Sequence, residues 1–346
     1  MVRTIRVDYR DVLREIQLSE ERIPVSIRRI AKIFGYRPYM VQRYVDMLGL
    51  EEAYKLLQAF ERRPPPAISC NTLKIDCESL TKRLERLGFG PKPVEWCKDY
   101  CFRVVKTPTS PSLGATHEYF KGFYYVYRDI AALLPPLLLD PHPNELVLDM
   151  AAAPGGKATH IAQLMKNRGF LVANDKAKTR LPALIENLMR LGIVNTVVTC
   201  FDARELPLKL RLRFDRVLLD APCSAEGAIM FDPERKRKTS IEDLARLVAR
   251  EIEMLYAAIE MAKNGGVIVY STCSIAPEEN EYVVNKVIDL RNDVEVIEPR
   301  LNVGSEGLTS FRELKFSKDV RKCLRLWPHR HGTEGFFICV LRRTRA

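Results

Sequence analysis

From residue 128 onward, apolar runs of strand length alternate with amphipathic runs of helix length. "ELVLDMA", "GFLVAND", "NTVVTCFD", "FDRVLLDAP" and "GVIVYSTCS" read as strands. "GGKATHIAQLM", "KTRLPALIENLMRLG", "SIEDLARLVAREIEMLYAAIEMAKNG" and "PEENEYVVNKVIDLR" read as helices, and "DVEVIEP" and "GFFICVLRR" as closing strands. Strands that recur with a helix between them call for parallel pairing, because parallel neighbours need a crossover. The expected architecture over residues 128–346 is a doubly wound, Rossmann-like α/β sheet. Ligands of such sheets bind beyond the carboxyl ends of the strands, so chemistry is sought there.

Two segments precede this domain. Residues 1–63 carry apolar residues at three- and four-residue spacing, as in "YRDVLREIQL" and "PYMVQRYVDMLGLEEAYKLLQAFERR", and read as a helical domain. "PPP" at 64–66 breaks the chain. Residues 64–127 read as a small α/β subdomain. "AISCNTLKI", "YCFRVVK" and "GFYYVY" are its strands, and "CESLTKRLERLG" is a helix ending at Gly88. Small sheets of this RRM-like kind often bind RNA.

The first strand of the large domain ends in "DMAAAPGGK". This run has neither the spacing of a dinucleotide fingerprint nor that of a P-loop. The small residues Ala151, Ala152, Ala153, Pro154, Gly155 and Gly156 let backbone N–H groups approach a ligand closely. Without a phosphate signature, the methionine part of S-adenosylmethionine fits the turn. Asp175 ends the second strand and is placed to accept from ribose hydroxyls, with Arg180 beside it. Asp202 ends the third and is placed to accept from an adenine amino group. Taken alone, each aspartate reads as a helix cap. Together, acids at three successive strand ends (149, 175, 202) read as an adenosyl pocket.

The fourth strand ends in "DAPCSAEG" and the fifth in "STCS", which puts Cys223 beside Asp220 and Cys273 fifty residues further on. Fourth and fifth strands are usually neighbours, so both thiols can face one cleft. The plain alternative is a pair of packed structural cysteines. The chain has nine cysteines, no start resembling a signal peptide and no apolar run of membrane length. Reduced thiols, a cytoplasmic location and no membrane contact are expected. Cys97 and Cys101 stand four apart with no second ligand pair nearby, so no metal site is expected. The net charge of +11 calls for a polyanionic partner. Candidate nucleic-acid contacts are Asn71 and Lys74 of "NTLK", Arg128, and Arg235, Lys236, Arg237 and Lys238 of "DPERKRK". His329 and His331 read as structural or RNA-facing groups.

"DMAAAPGGK", "DAPCSAEG", "STCS" and the terminal "LWPHRHGTEGFF" together resemble the NOL/NOP/Sun family of RNA 5-methylcytosine methyltransferases. The resemblance runs from about residue 40 to the end, including "PYMVQRYVDMLGLEEAYKLL" and "SCNTLKI". The family often carries a cysteine where Ala151 stands and a glutamine where Arg128 stands. The resemblance implies an S-adenosylmethionine-dependent enzyme acting as a monomer on tRNA or rRNA. It also implies Cys273 as the nucleophile that adds to carbon 6 of cytosine, with Cys223 assisting release. A one-dipeptide likeness to DNA cytosine methyltransferases would instead make Cys223 the nucleophile. The reaction further needs a donor to cytosine N3, an acceptor atom. Asp220 is the candidate, and it must carry a proton to donate. Lys157 is expected to organise Asp220 or the cofactor carboxylate. Two other readings are a catalytically silent RNA-binding or ribosome-assembly protein and a methyltransferase for DNA or a small molecule. Intact Asp220, Cys223 and Cys273 speak against the silent protein, and the basic charge against a small substrate.

Overall fold

In a computed structural model, residues 4–20, 23–301 and 303–345 are described. Four helices come first: Tyr9–Ile16, Val25–Phe34, Pro38–Leu48 and Leu50–Ala59. Residues 1–3 and 21–22 of the expected helical stretch lie outside the described residues. Asp8 caps the first helix by accepting the Arg10 amide at 2.9 Å. The run from Pro38 divides at Gly49, whose φ of 79° a helix cannot contain. These helices are too short to be stable alone, and they build no core of their own. Val12, Ile27, Tyr39, Tyr44 and Leu56 share one buried cluster with Val217, Ile252, Leu255 and Ile259 of the large domain.

The next segment forms an antiparallel sheet of β1 (Ala67–Cys70), β2 (Gly90–Pro93), β3 (Cys101–Lys106) and β4 (Tyr124–Tyr127), ordered 2-3-1-4. The helix Cys77–Arg86 covers it through Leu80 and Leu84, which pack on Ile68, Phe102 and Val104. One expectation is overturned here. Cys70 is joined to Cys77 and Cys97 to Cys101 by disulfides. The turn after β1 and the turn before β3 return the chain so that the Cα atoms lie 5.8 and 5.3 Å apart, within bridging range. Cys200, Cys223, Cys273, Cys323 and Cys339 are free thiols.

The large sheet contains β5 (Leu146–Asp149), β6 (Phe170–Asn174), β7 (Thr196–Thr199), β8 (Phe214–Asp220), β9 (Ala262–Thr272), β10 (Val294–Val296) and β11 (Ser305–Glu306). A two-residue hairpin follows, β12 (Ser310–Phe311) with β13 (Leu314–Lys315). Then β14 (Leu324–Leu326) and β15 (Phe336–Arg343) complete the sheet. Its order is 11-14-15-9-8-5-6-7, with β10 also on β15. β5 to β9 pair in parallel, and β15 runs antiparallel to β9. Val217–Leu219 and Ile268–Tyr270 are buried on both faces of the sheet, which accounts for their unbroken apolar runs. The strand order reverses between β5 and β8, and that crevice holds the site. This is the Rossmann-like α/β fold expected from the alternation.

Candidate active site

β8 and β9 are paired in register, with Asp220 opposite Ser271, and the Ala221 N–H donates to the Ser271 carbonyl at 2.8 Å. The two chains leave the sheet side by side. Their cysteines therefore meet, with the Sγ atoms of Cys223 and Cys273 3.5 Å apart. Cys273 lines a cavity of about 280 Å³ together with Lys157, Asp220, Arg128, Glu334 and Phe336. Cys223 touches Cys273 without being part of that lining. The thiols are driven in opposite directions. A hydrogen bond from Cys223 holds the Cys273 thiol below the usual range, with Lys157 and Arg128 adding to this against burial and Asp220. The same bond and burial push Cys223 well up. The cavity-facing sulfur is thus the one favoured as thiolate, the form in which sulfur is a nucleophile.

Lys157 stands in the first turn of the helix Gly156–Leu164, and its Nζ lies 2.7 Å from Asp220 Oδ2. Ser271 Oγ donates to Asp220 Oδ1 at 2.8 Å. Both oxygens of Asp220 thus accept, one from Lys157 and one from Ser271. Burial opposes the charge of Lys157, yet Asp220 holds its pKa above the ordinary value.

The turn after β5 is held by its neighbours. Ala152 N–H donates to the Asn174 carbonyl at 2.7 Å, and Ala153 N–H donates to Asp175 Oδ2 at 3.1 Å. Asp175 also accepts the Ala177 N–H at 2.9 Å and pairs with Arg180, which in turn donates to the Ala153 carbonyl. Gly155 has φ 111°, and a Cβ on Gly156 would come within 2.8 Å of the Tyr125 ring. Both positions therefore require glycine. Ala151, Ala152, Ala153, Pro154 and Gly156 line the cavity, whereas Asp175, Arg180 and Asp202 lie outside its lining. Asp202 acts as a cap. It accepts the Arg204 N–H at 3.1 Å and pairs with Arg204 and Lys176, and the Arg204 hydrogen bond holds it far below the carboxylate range. Asp149 differs. Its Oδ2 is buried without a partner, and burial, with Asp220 adding, pushes it up to about 7.

Several of the expected RNA contacts have partners within the protein. Asn71 is buried and donates to the Gly122 and Leu191 carbonyls, both at 2.8 Å. Lys74 donates to the Lys121 and Arg190 carbonyls at 3.1 and 2.7 Å. Both are struts that dock the small sheet on the large domain. Arg235 pairs with Asp232, Lys236 donates to the Phe34 carbonyl and pairs with Glu61, and Arg237 donates to the Gly35 carbonyl. Three of the four basic residues are thus occupied by neighbouring groups, two of them binding the N-terminal helices. Arg128 does face the cavity, with its guanidinium 5.5 Å from the Phe231 ring. His331 is structural, its Nδ1 accepting the Trp327 N–H at 2.8 Å. His329 lies 3.2 Å from Glu52. Glu334, Phe336, Tyr125 and Ser271 were not singled out from the sequence, although "TEGFF" and "STCS" contain three of them. Among the described residues, no helix is long and apolar enough to cross a membrane, and no group of three or more His, Cys, Asp or Glu could hold a metal ion.

Comparison with known proteins agrees with this geometry. A solved methyltransferase homolog from Pyrococcus horikoshii superimposes with a TM-score of 0.83 at 36% identity, covering 92% of this chain and 99% of that one. The model of the 16S rRNA methyltransferase RsmB/F family matches residues 136–342, and that of the RsmF N-terminal domain matches residues 38–127. The chain belongs to the RsmB/F family. It is 36% identical over 307 residues to the tRNA (cytosine(49)-C(5))-methyltransferase of Pyrococcus abyssi, covering 88% of this chain and 96% of the relative. It is 38% identical over 319 residues to the human 28S rRNA (cytosine(4447)-C(5))-methyltransferase, covering 91% of this chain but 38% of the relative. The chain spans between 38% and 55% of the length of the four eukaryotic rRNA relatives it matches.

Proposed function

We propose that this chain methylates carbon 5 of a cytosine in tRNA or rRNA, with Cys273 as nucleophile and Cys223 as release partner. The observation that carries the reading is the thiol pair at 3.5 Å, in which the cavity-facing member is the one held toward thiolate. The residues present fit S-adenosylmethionine. The turn Ala151–Gly156 brings bare backbone to the cavity wall, and Asp149 Oδ2, at the end of the strand that leads into it, is buried without a partner. When bound, that cofactor supplies an electrophilic methyl group on a sulfonium.

The chain's own residues do the rest. Cys273 adds to carbon 6 and makes carbon 5 nucleophilic. Lys157, oriented by Asp220, is the donor toward the cytosine ring edge, so the proton that N3 requires sits on the ammonium. On release a water molecule takes the carbon 5 proton, the carbon 6–sulfur bond breaks with its electron pair on Cys273, Cys223 gives its S–H proton to that sulfur, and N3 returns its proton to Lys157. The target base has to leave its stack to enter the cavity. A cleft of about 400 Å³ lined by Lys55, Arg62, Arg63, His329, Met230 and Thr333 adjoins the cavity through Thr333 and Glu334. With Arg128 it forms a basic approach suited to the RNA backbone.

The test is incubation of the purified chain with S-adenosylmethionine and transcribed tRNA or rRNA, read by bisulfite sequencing. The expected result is a cytosine mark that is absent with Cys273→Ala. RNA binding without any mark would favour the silent RNA-binding protein.

A further inference from the structure

The methyl-transfer scheme leaves unused a group that joins the two thiol loops. Glu279, in the loop after β9, is fully buried. One carboxyl oxygen accepts the Ser224 backbone N–H at 2.7 Å. The other accepts the hydroxyl of Ser224 at 2.6 Å and that of Ser274 at 2.5 Å. Ser224 directly follows Cys223 and Ser274 directly follows Cys273, and their hydroxyl oxygens are 3.3 Å apart. A single side chain thus bridges both loops at the residue next to each thiol.

Its own position is fixed from behind. Tyr270 of β9 donates to the Glu279 carbonyl at 2.6 Å. Glu251, on the helix Ile241–Met261, faces the Glu279 carboxyl from beneath, fully buried, and no donor in the protein reaches either of its oxygens. Two facing buried carboxyls cannot both ionise. Burial raises both carboxyls, Glu251 well above its ordinary value, while the hydrogen bonds from Ser224 and Ser274 pull Glu279 back down, so of the two Glu279 is the better suited to carry charge. The arrangement costs buried charge that an apolar pair would avoid, which marks it as more than packing.

We propose that Glu279 is a positioning residue for the thiol pair. Its carboxylate sets the approach of the two loops, so that the Cys223 S–H points at the Cys273 sulfur. It touches neither substrate nor reacting atoms. The link between this clamp and adduct release rests on the methyltransferase reading, whereas the clamp itself does not.

Two variants test it. Ser274→Ala removes one strut without leaving a new charge, and Glu279→Gln replaces one acceptor by a donor. The first readout is the rate at which diamide, which takes up the two thiol hydrogens, links Cys223 to Cys273, measured by peptide mass mapping. The second is the pH midpoint of Cys273 alkylation by iodoacetamide. The third is the covalent adduct with RNA after reaction. Both variants are expected to slow cross-linking by about tenfold or more, to move the Cys273 midpoint upward and to retain adduct, while still melting cooperatively. A folded Ser274→Ala protein with wild-type cross-linking and midpoint would overturn the clamp, and this variant decides the matter if Glu279→Gln fails to fold. Slow cross-linking in both variants, with no methylation even by the wild type, would uphold the clamp and sink the proposed function instead.

Discussion

The large sheet has a cavity at each end, and the two are built on opposite terms. At the amino end of β5 and β8, about 360 Å³ is lined by Asp140, Glu145, Asp215, Arg216, Lys263 and Arg300 among others. Three of its four acids, all but Glu298, have a cation. Arg216 pairs with Glu145 at 3.1 Å, Lys263 pairs with Asp215 at 2.7 Å, and Arg300 pairs with Asp140. At the carboxyl end the cavity is smaller, about 280 Å³, yet Glu334 in its wall and Asp149 at the end of β5 each bury a carboxyl oxygen with no partner, and Cys273 is held toward thiolate. Cavity volume therefore does not identify the site. Satisfied charges stabilise a surface, whereas polar groups left short of partners in a closed space mark where a ligand completes the set.

The comparison can be broken most directly at the thiols. Cys273→Ala is expected to abolish methylation and leave no covalent RNA adduct. Cys223→Ala is expected to leave an adduct that survives denaturing electrophoresis. The reverse pattern would make Cys223 the nucleophile. Next in size, Lys157→Met should lower turnover by roughly 10²–10⁴ in a single-turnover assay, with RNA retention on a filter little changed.

A smaller effect sharpens the contrast through pH. Asp149 has an ordinary pKa of 3.8 and is raised to about 7 in the fold, so between these values the folded protein holds a proton that the unfolded chain releases. Its contribution to stability is fully present below pH 3.8 and is lost as pH rises through 7. Asp149→Asn cannot ionise. Urea unfolding of the cofactor-free protein should show the variant gaining on wild type as pH rises across that window, by a few kcal/mol at most. A constant difference across pH would contradict the burial argument. The smallest effect belongs to the amino end. Lys263→Ala removes a half-exposed pair and should cost no more than about 1 kcal/mol, leaving methylation intact. A large activity loss there would mean that the two ends are coupled.

Parts of this arrangement were legible in the sequence because they depend on local pattern. The period of the apolar runs, the turn "AAAPGG" and the placement of Asp220, Cys223 and Cys273 at strand ends follow from residues close together in the chain. The contacts that were not legible are those whose partners lie far away. A lysine such as Lys74 looks the same in sequence whether it meets a phosphate or the Arg190 carbonyl, 116 residues on. Arg237 and the Gly35 carbonyl are separated by 202 residues, which no local reading can join. The disulfides escaped for a related reason: four cysteines two to a turn show spacing but not the return of the chain. Glu279 sits in "PEENE", read as the start of a helix, whereas the helix begins at Glu281 and Glu279 is buried in the loop before it.

By itself, the sequence determined that the second half carries a mostly parallel α/β sheet and that two thiols and an aspartate stand at its carboxyl edge. Hydrophobic periodicity and crossover geometry leave little choice in that. Only the tertiary structure decided which thiol faces the cavity, that Lys157 pairs with Asp220, and that Glu279 ties both loops. These depend on distances between residues remote in the chain, and such distances exist only once the strands have paired.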